Sequence, residues 1–183
     1  SYIAERFAPI GVQGLRTLIG GASSLSYIGT IAGTSADEGR RVVVKVAPPG
    51  MVPVLNRDVL RQARMLRALA PTPVPVPEVL WEDPGEPPDV PPLFVMSFVD
   101  GASFEPLFDV DVDSRDHDEA VVADRMRTAA RTLADLHSLQ PDALGFDGEP
   151  WVGPTEEIAR WSRALTTVDP ALVSSWDEVA AAL

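Results

Sequence analysis

Between Leu15 and Ala47 short apolar stretches alternate with turn residues at the spacing of a β-meander. Leu15 to Ile19 is rich in apolar residues, Gly20-Gly21-Ala22-Ser23-Ser24 reads as a turn, and Leu25 to Ile31 resumes with aromatic and β-branched residues. A polar loop, Gly33 to Gly39, leads into Arg41–Ala47, R-V-V-V-K-V-A, a strand apolar on both faces. Three antiparallel strands are expected here. From 54 to 70 the period becomes helical. Val59, Ala63, Leu66 and Ala70 form one stripe, widened by Leu55 and Leu69; Arg57, Arg61, Arg64 and Arg67 lie opposite, on a face expected to be solvated. Pro71 and Pro73 end that helix. Two further strands are predicted, Val76 to Trp81 and Leu93 to Val99, separated by a proline-rich loop over 83–92 and closed by an Asp100-Gly101 turn.

Beyond Gly101 the strand signals stop. Asp116 with Glu119 resembles a capping box, and the helix it would open carries Val122, Met126, Ala129, Leu133 and Leu136 on one face. Residues 155–165 and 170–183 predict two more helices, with Trp161 and Trp176 expected as core anchors. Five strands with one inserted helix, then helices only, make an α+β chain of two lobes: 1–101 and 102–183.

Composition narrows the chemistry. With 45% hydrophobic residues in 183, the chain can bury a core, and no apolar run approaches a membrane span or follows a basic start as in a signal peptide. A cytoplasmic protein is expected. The absence of cysteine excludes disulfides and thiolate metal sites. The two histidines, His117 and His137, form no H-E-x-x-H pattern, and there is no G-x-S-x-G elbow. A net charge of -12 disfavours nucleic-acid and anionic-membrane partners. It is compatible with a cationic substrate, although most of it reads as solvated surface. The chain opens at Ser1 without Met, as expected of a trimmed or excised segment.

Lys45 is the most informative side chain. A buried ammonium is costly unless paired. One reading is a lysine on an edge strand whose head snorkels to water. The other is a ligand-binding cation, and its context supports that reading. The Gly/Ser turn at 20–24 offers backbone N–H groups to an anion at close range, and a helix follows the lysine strand. This layout matches the way kinases cover and clamp ATP phosphates.

Here the chain resembles a known family, the aminoglycoside phosphotransferases, small-molecule kinases with a protein-kinase-like fold. The matching stretches are L-I-G-G-A-S-S-L-S-Y at 18–27, V-V-V-K-V-A-P-P at 42–49 and L-R-Q-A-R-M-L-R-A-L at 60–69. P-V-P-V-P-E-V-L at 73–80, L-F-V-M-S-F-V-D-G at 93–101 and L-A-D-L-H-S-L at 133–139 continue the series in the family's order and spacing. The resemblance implies an N-lobe of a five-stranded antiparallel sheet plus one helix, followed by the first helices of a helical C-lobe. It implies that Lys45 holds the α- and β-phosphates and that Gly21, Ala22, Ser23 and Ser24 line the phosphate loop. Met96, Ser97, Phe98 and Val99 would form the hinge that binds the adenine edge through backbone groups, with Val43 or a neighbour covering the ring. ATP or another NTP, with Mg²⁺ in the full-length protein, and a small-molecule hydroxyl substrate are the implied cofactors and partners.

Two departures stand out. The family usually pairs the strand lysine with a glutamate on the inserted helix; here the position holds Gln62, one turn from Asp58 and from Leu66 and expected to face the sheet. Gln62 can accept a hydrogen bond from Lys45 without charge, or Asp58 can substitute for it; an ordinary boundary residue is the other reading of Gln62. The family's H-G-D catalytic motif with its downstream Asn and metal-binding Asp is also absent. His117-Asp118 reads as helix-start chemistry and His137 as structural. The expectation is therefore an ATP-binding portion of a small-molecule kinase that ends before the catalytic loop, so that no catalytic residue lies in the chain. The alternatives are a non-catalytic nucleotide-binding pseudokinase or regulatory module, and a structural domain in which Lys45 only snorkels.

Overall fold

The computed structural model describes residues 6, 10–18, 24–32, 39–53, 57–101, 119–149 and 152–182. Its first part is a five-stranded antiparallel sheet of β1 (Val12–Thr17), β2 (Leu25–Ile31), β3 (Arg41–Val46), β4 (Val79–Asp83) and β5 (Leu93–Ser97), with spatial order β1-β2-β3-β5-β4. The first three strands form the expected meander. β5 inserts between β3 and β4, so β3 lies at the centre of the sheet. The first strand falls a few residues before the predicted stretch and contains a bulge between Gln13 and Arg16. Opposite it, Gly29 has no room for a side chain: a Cβ there would lie 2.8 Å from Val12 Cγ1 and 3.0 Å from the Gln13 carbonyl.

The pleat sorts β3 into two environments. Val42, Val44 and Val46 are buried on one face with Val12, Ile31, Leu93 and Val95. Val43 and Lys45, on the other face, are half-buried. The expectation of two fully apolar, buried faces therefore holds for one face only. On the second face Ala47 and Phe94 pack against the inserted helix α1 (Val59–Leu69), which contributes Val59 and Ala63, with Leu66, Val79 and Met96 at the margin. Val59 and Phe94, taken fully out of water, contribute about 1.5–3 kcal/mol each.

The α1 helix starts at Val59, inside the 54–70 stretch expected to be helical, with a cap that the sequence reading did not assign. Asp58 is its N-cap, and its Oδ1 accepts the Arg61 N–H at 2.9 Å. Asp58→Ala should cost about 1 kcal/mol; an unchanged midpoint in thermal unfolding would refute that role. The arginine face of α1 is solvated in part, as expected: Arg64 and Arg67 are exposed, while Arg57 and Arg61 are half-buried. Arg61, Arg64 and Arg67 line a cavity of about 500 Å³ with Glu82 and prolines of the 84–92 loop, and Arg67 pairs with Glu82 at 2.7 Å. That loop is tied down by Arg6, whose Nε donates to Asp83 at 2.8 Å and whose Nη1 donates to the Pro91 carbonyl at 2.6 Å.

The chain forms two compact units, Ser1–Gln140 and Pro141–Leu183. The first includes α2 (Glu119–His137). The predicted apolar stripe of α2 is largely exposed at Met126, Leu133 and Leu136. The proposed cap Asp116, with His117 and Asp118, lies outside the described residues. In the second unit α3 (Pro154–Leu165) matches the helix expected over 155–165 and begins one residue earlier, with proline at its first turn. The helix expected over 170–183 is broken. Pro170–Leu172 is a 3₁₀ turn, capped by Asp169 through a 2.9 Å bond from the Ala171 N–H, and α4 spans only Trp176–Ala182. Trp161 is also not the core anchor expected. It is 47% exposed, its indole N–H donating to Glu157 of its own helix at 3.0 Å. Trp176 is half-buried and donates to the Ser162 hydroxyl at 2.9 Å.

Candidate functional site

The central position of β3 removes the edge-strand reading of Lys45. Its cross-strand neighbours are Ser26 on β2 and Phe94 on β5. Neighbours on both sides of the strand leave its ammonium partly desolvated, and this burial pushes its pKa below the ordinary lysine value. Among the described residues no carboxylate forms an ion pair with it. Asp58, the proposed substitute partner, is engaged as the α1 cap. Gln62 is half-buried on α1 beside Ala63, whose side chain packs toward Phe94. Lys45 is thus a half-buried cation on the face covered by α1, with no salt-bridge partner among the described residues.

Val43 shares this face and pairs in register with Met96 of β5. Ser24 is buried at the start of β2, where Leu25 pairs with Val46 next to Lys45. Gly21, Ala22 and Ser23 lie outside the described residues.

The segment after β5 is held by contacts that the sequence did not reveal. The Ser97 N–H donates to the Glu78 carbonyl at 2.8 Å, and the Phe98 N–H donates to the Arg41 carbonyl at 3.0 Å. The Arg41 guanidinium lies 4.3 Å from the Phe98 ring centroid and forms an ion pair with Asp100. Arg40 pairs with Glu78 at 2.6 Å. Val99, between these anchors, is 67% exposed. Met96, Ser97, Phe98 and Val99 therefore run from the sheet into an open strip whose backbone is clamped on both sides. No signal in the sequence linked Arg41 to Phe98 and Asp100, because the contact spans 59 residues. Arg41→Ala removes one cation–π contact and one exposed ion pair, about 1 kcal/mol together. The expected unfolding midpoint is lower by about 2–4 °C; no shift would refute the clamp.

His137 closes α2 in an exposed position. Among the described residues no group of three or more His, Cys, Asp or Glu side chains is arranged to hold a metal ion. Among the described residues no helix is long and apolar enough to cross a membrane.

A five-stranded sheet in this order, with one helix packed on the face of a central-strand lysine and helices following, is the arrangement of a protein-kinase-like N-lobe and the start of a helical lobe. The model of the phosphotransferase enzyme family APH matches residues 15–183, and the chain belongs to that family. It is similar in fold to a crystal structure from Ralstonia eutropha JMP134 of a protein provisionally assigned as an aminoglycoside phosphotransferase. The TM-score is 0.64 at 20% sequence identity, over 96% of this chain and 51% of that one. The chain thus spans about half the length of that structure. No curated protein matches it.

Proposed function

We propose that this chain supplies the ATP-binding part of a small-molecule kinase that transfers the γ-phosphate of ATP to a substrate hydroxyl. The observation that carries the reading is Lys45: a cation on the central strand, its pKa pushed down by burial, without a carboxylate partner among the described residues. Such a group gains most from an anion brought to it, and an ATP phosphate is the anion that the family's chemistry uses. In this reading residues 1–101 are the nucleotide lobe and 102–183 begin the helical lobe. Lys45 holds the α- and β-phosphates, and Ser24 with Gly21, Ala22 and Ser23 lines the phosphate loop. Val43 covers the adenine, and Met96 to Val99 recognise its edge. Gln62 on α1 is neutral and brings no charge to compete with the phosphates for Lys45. Mg²⁺ would accompany the nucleotide and neutralise phosphate charge.

Calorimetric titration with ATP tests this. Saturable binding, with adenosine binding more weakly than ATP, is expected. Absence of binding by both would defeat the reading. Detection of phosphate transfer to a hydroxyl compound, from a panel that includes cationic amino sugars, tests the reaction itself.

A further inference from the structure

We propose that the Ser97 hydroxyl is a positioning group that sets which purine the hinge accepts; this rests on the nucleotide-binding reading above. The argument begins with the parity of the β3–β5 ladder. The Phe98 N–H goes to the Arg41 carbonyl and the Ala47 N–H to the Pro92 carbonyl at 2.9 Å. In register, the hydrogen-bonded pairs therefore include Val43–Met96 and Lys45–Phe94, while Val42–Ser97 is a non-hydrogen-bonded pair. The polar backbone groups of Ser97 turn away from β3, toward the segment that leads into β4.

On that side the Ser97 N–H donates to the Glu78 carbonyl at 2.8 Å. In an ordinary antiparallel pair the return bond runs from the Glu78 N–H to the Ser97 carbonyl. Here the Glu78 N–H donates to the Ser97 Oγ instead, at 2.9 Å. The hydroxyl takes the donor that would otherwise occupy the carbonyl, so no backbone donor among the described residues fills the Ser97 carbonyl. The Ser97 and Phe98 N–H groups are both committed to backbone carbonyls, and the Val99 N–H has no partner among the described residues. The strip therefore offers one acceptor and, two residues on, one donor.

Adenine presents the complement, a 6-amino donor beside the N1 acceptor. Guanine presents the reverse, an O6 acceptor beside an N1–H donor. The hinge thus matches adenine, and the acceptor half of the match depends on a side chain that need not touch the base. Alanine at 97 would return the Glu78 N–H to the carbonyl and withdraw the acceptor.

The test titrates ATP and purine riboside 5′-triphosphate, which lacks the 6-amino group, into the wild-type protein and into Ser97→Ala, Ser97→Thr and Ser97→Cys. The wild type is expected to prefer ATP by about 3- to 10-fold, the worth of one hydrogen bond. Ser97→Ala should bring the ratio close to one, Ser97→Thr should restore it, and Ser97→Cys, with a weak sulfur acceptor, should fall between. Unfolding midpoints should stay near that of the wild type. A wild-type-sized ATP preference in Ser97→Ala overturns the proposal, as does a ratio near one in the wild type. If neither nucleotide binds the wild type, the nucleotide reading falls and takes this proposal with it. A loss of affinity for both nucleotides alike in Ser97→Ala would mark a merely structural role and also overturns it.

Discussion

Lys45→Met is expected to weaken ATP binding by roughly 10- to 150-fold while leaving adenosine binding within about twofold, as loss of a charged hydrogen bond to phosphate requires. Methionine keeps most of the apolar stem and removes only the charge, so the change reads the ammonium and not a cavity. Stability should not fall. The ammonium is desolvated in the fold and no carboxylate pairs with it among the described residues, so its removal relieves a cost. The pH dependence has a definite sign. Burial lowers the folded pKa below the unfolded one. Between those two values the unfolded chain binds more protons, so stability rises with pH across that window, and Lys45→Met should abolish this contribution. ATP affinity should move oppositely, falling as pH rises through the lowered pKa, because only the charged form attracts phosphate. Equal ATP affinity in the variant and the wild type would remove Lys45 from the site.

The largest stability effect is expected at Phe94. Its side chain is fully buried against Ala47, Val59 and Ala63, where β5 meets α1, and it is the register partner of Lys45. Phe94→Ala should cost about 3–5 kcal/mol through lost transfer energy and the cavity left behind. The unfolding midpoint should fall by on the order of 10 °C. Leu172→Ala is the control: Leu172 is 80% exposed, and its replacement should change stability by less than about 0.5 kcal/mol. Denaturant unfolding of the two variants checks both statements. A Phe94→Ala loss below about 1 kcal/mol would mean that α1 is not held to the sheet through this contact.

Much of the strand-rich region was legible because its signals are local. Period-two apolar stretches, turn residues and the helical stripe of Val59, Ala63 and Leu66 act within a few residues, and the five strands and α1 follow from them, whereas the Asp58 cap emerged only in the structure. The helical region was less legible. Where prolines and polar residues interrupt a weak period, as at Pro170, the expected single helix became a 3₁₀ turn and a short α4. The tryptophan at 161 shows a second limit: a large apolar side chain marks a core only if other elements cover it, and periodicity does not report cover.

By itself the sequence determined the order of the strands and of α1, and the lysine within a valine strand. Only the tertiary structure decided that β3 is central, because the insertion of β5 between β3 and β4 is a nonlocal pairing that no window of residues encodes. That one pairing turns Lys45 from a possible edge residue into a desolvated cation beside Phe94, and it brings Arg41 to Phe98 and Asp100. The chemistry of the candidate site was thus written in residue types, while its geometry came from strands distant in sequence, whose pairing depends on burying both faces of the sheet at once.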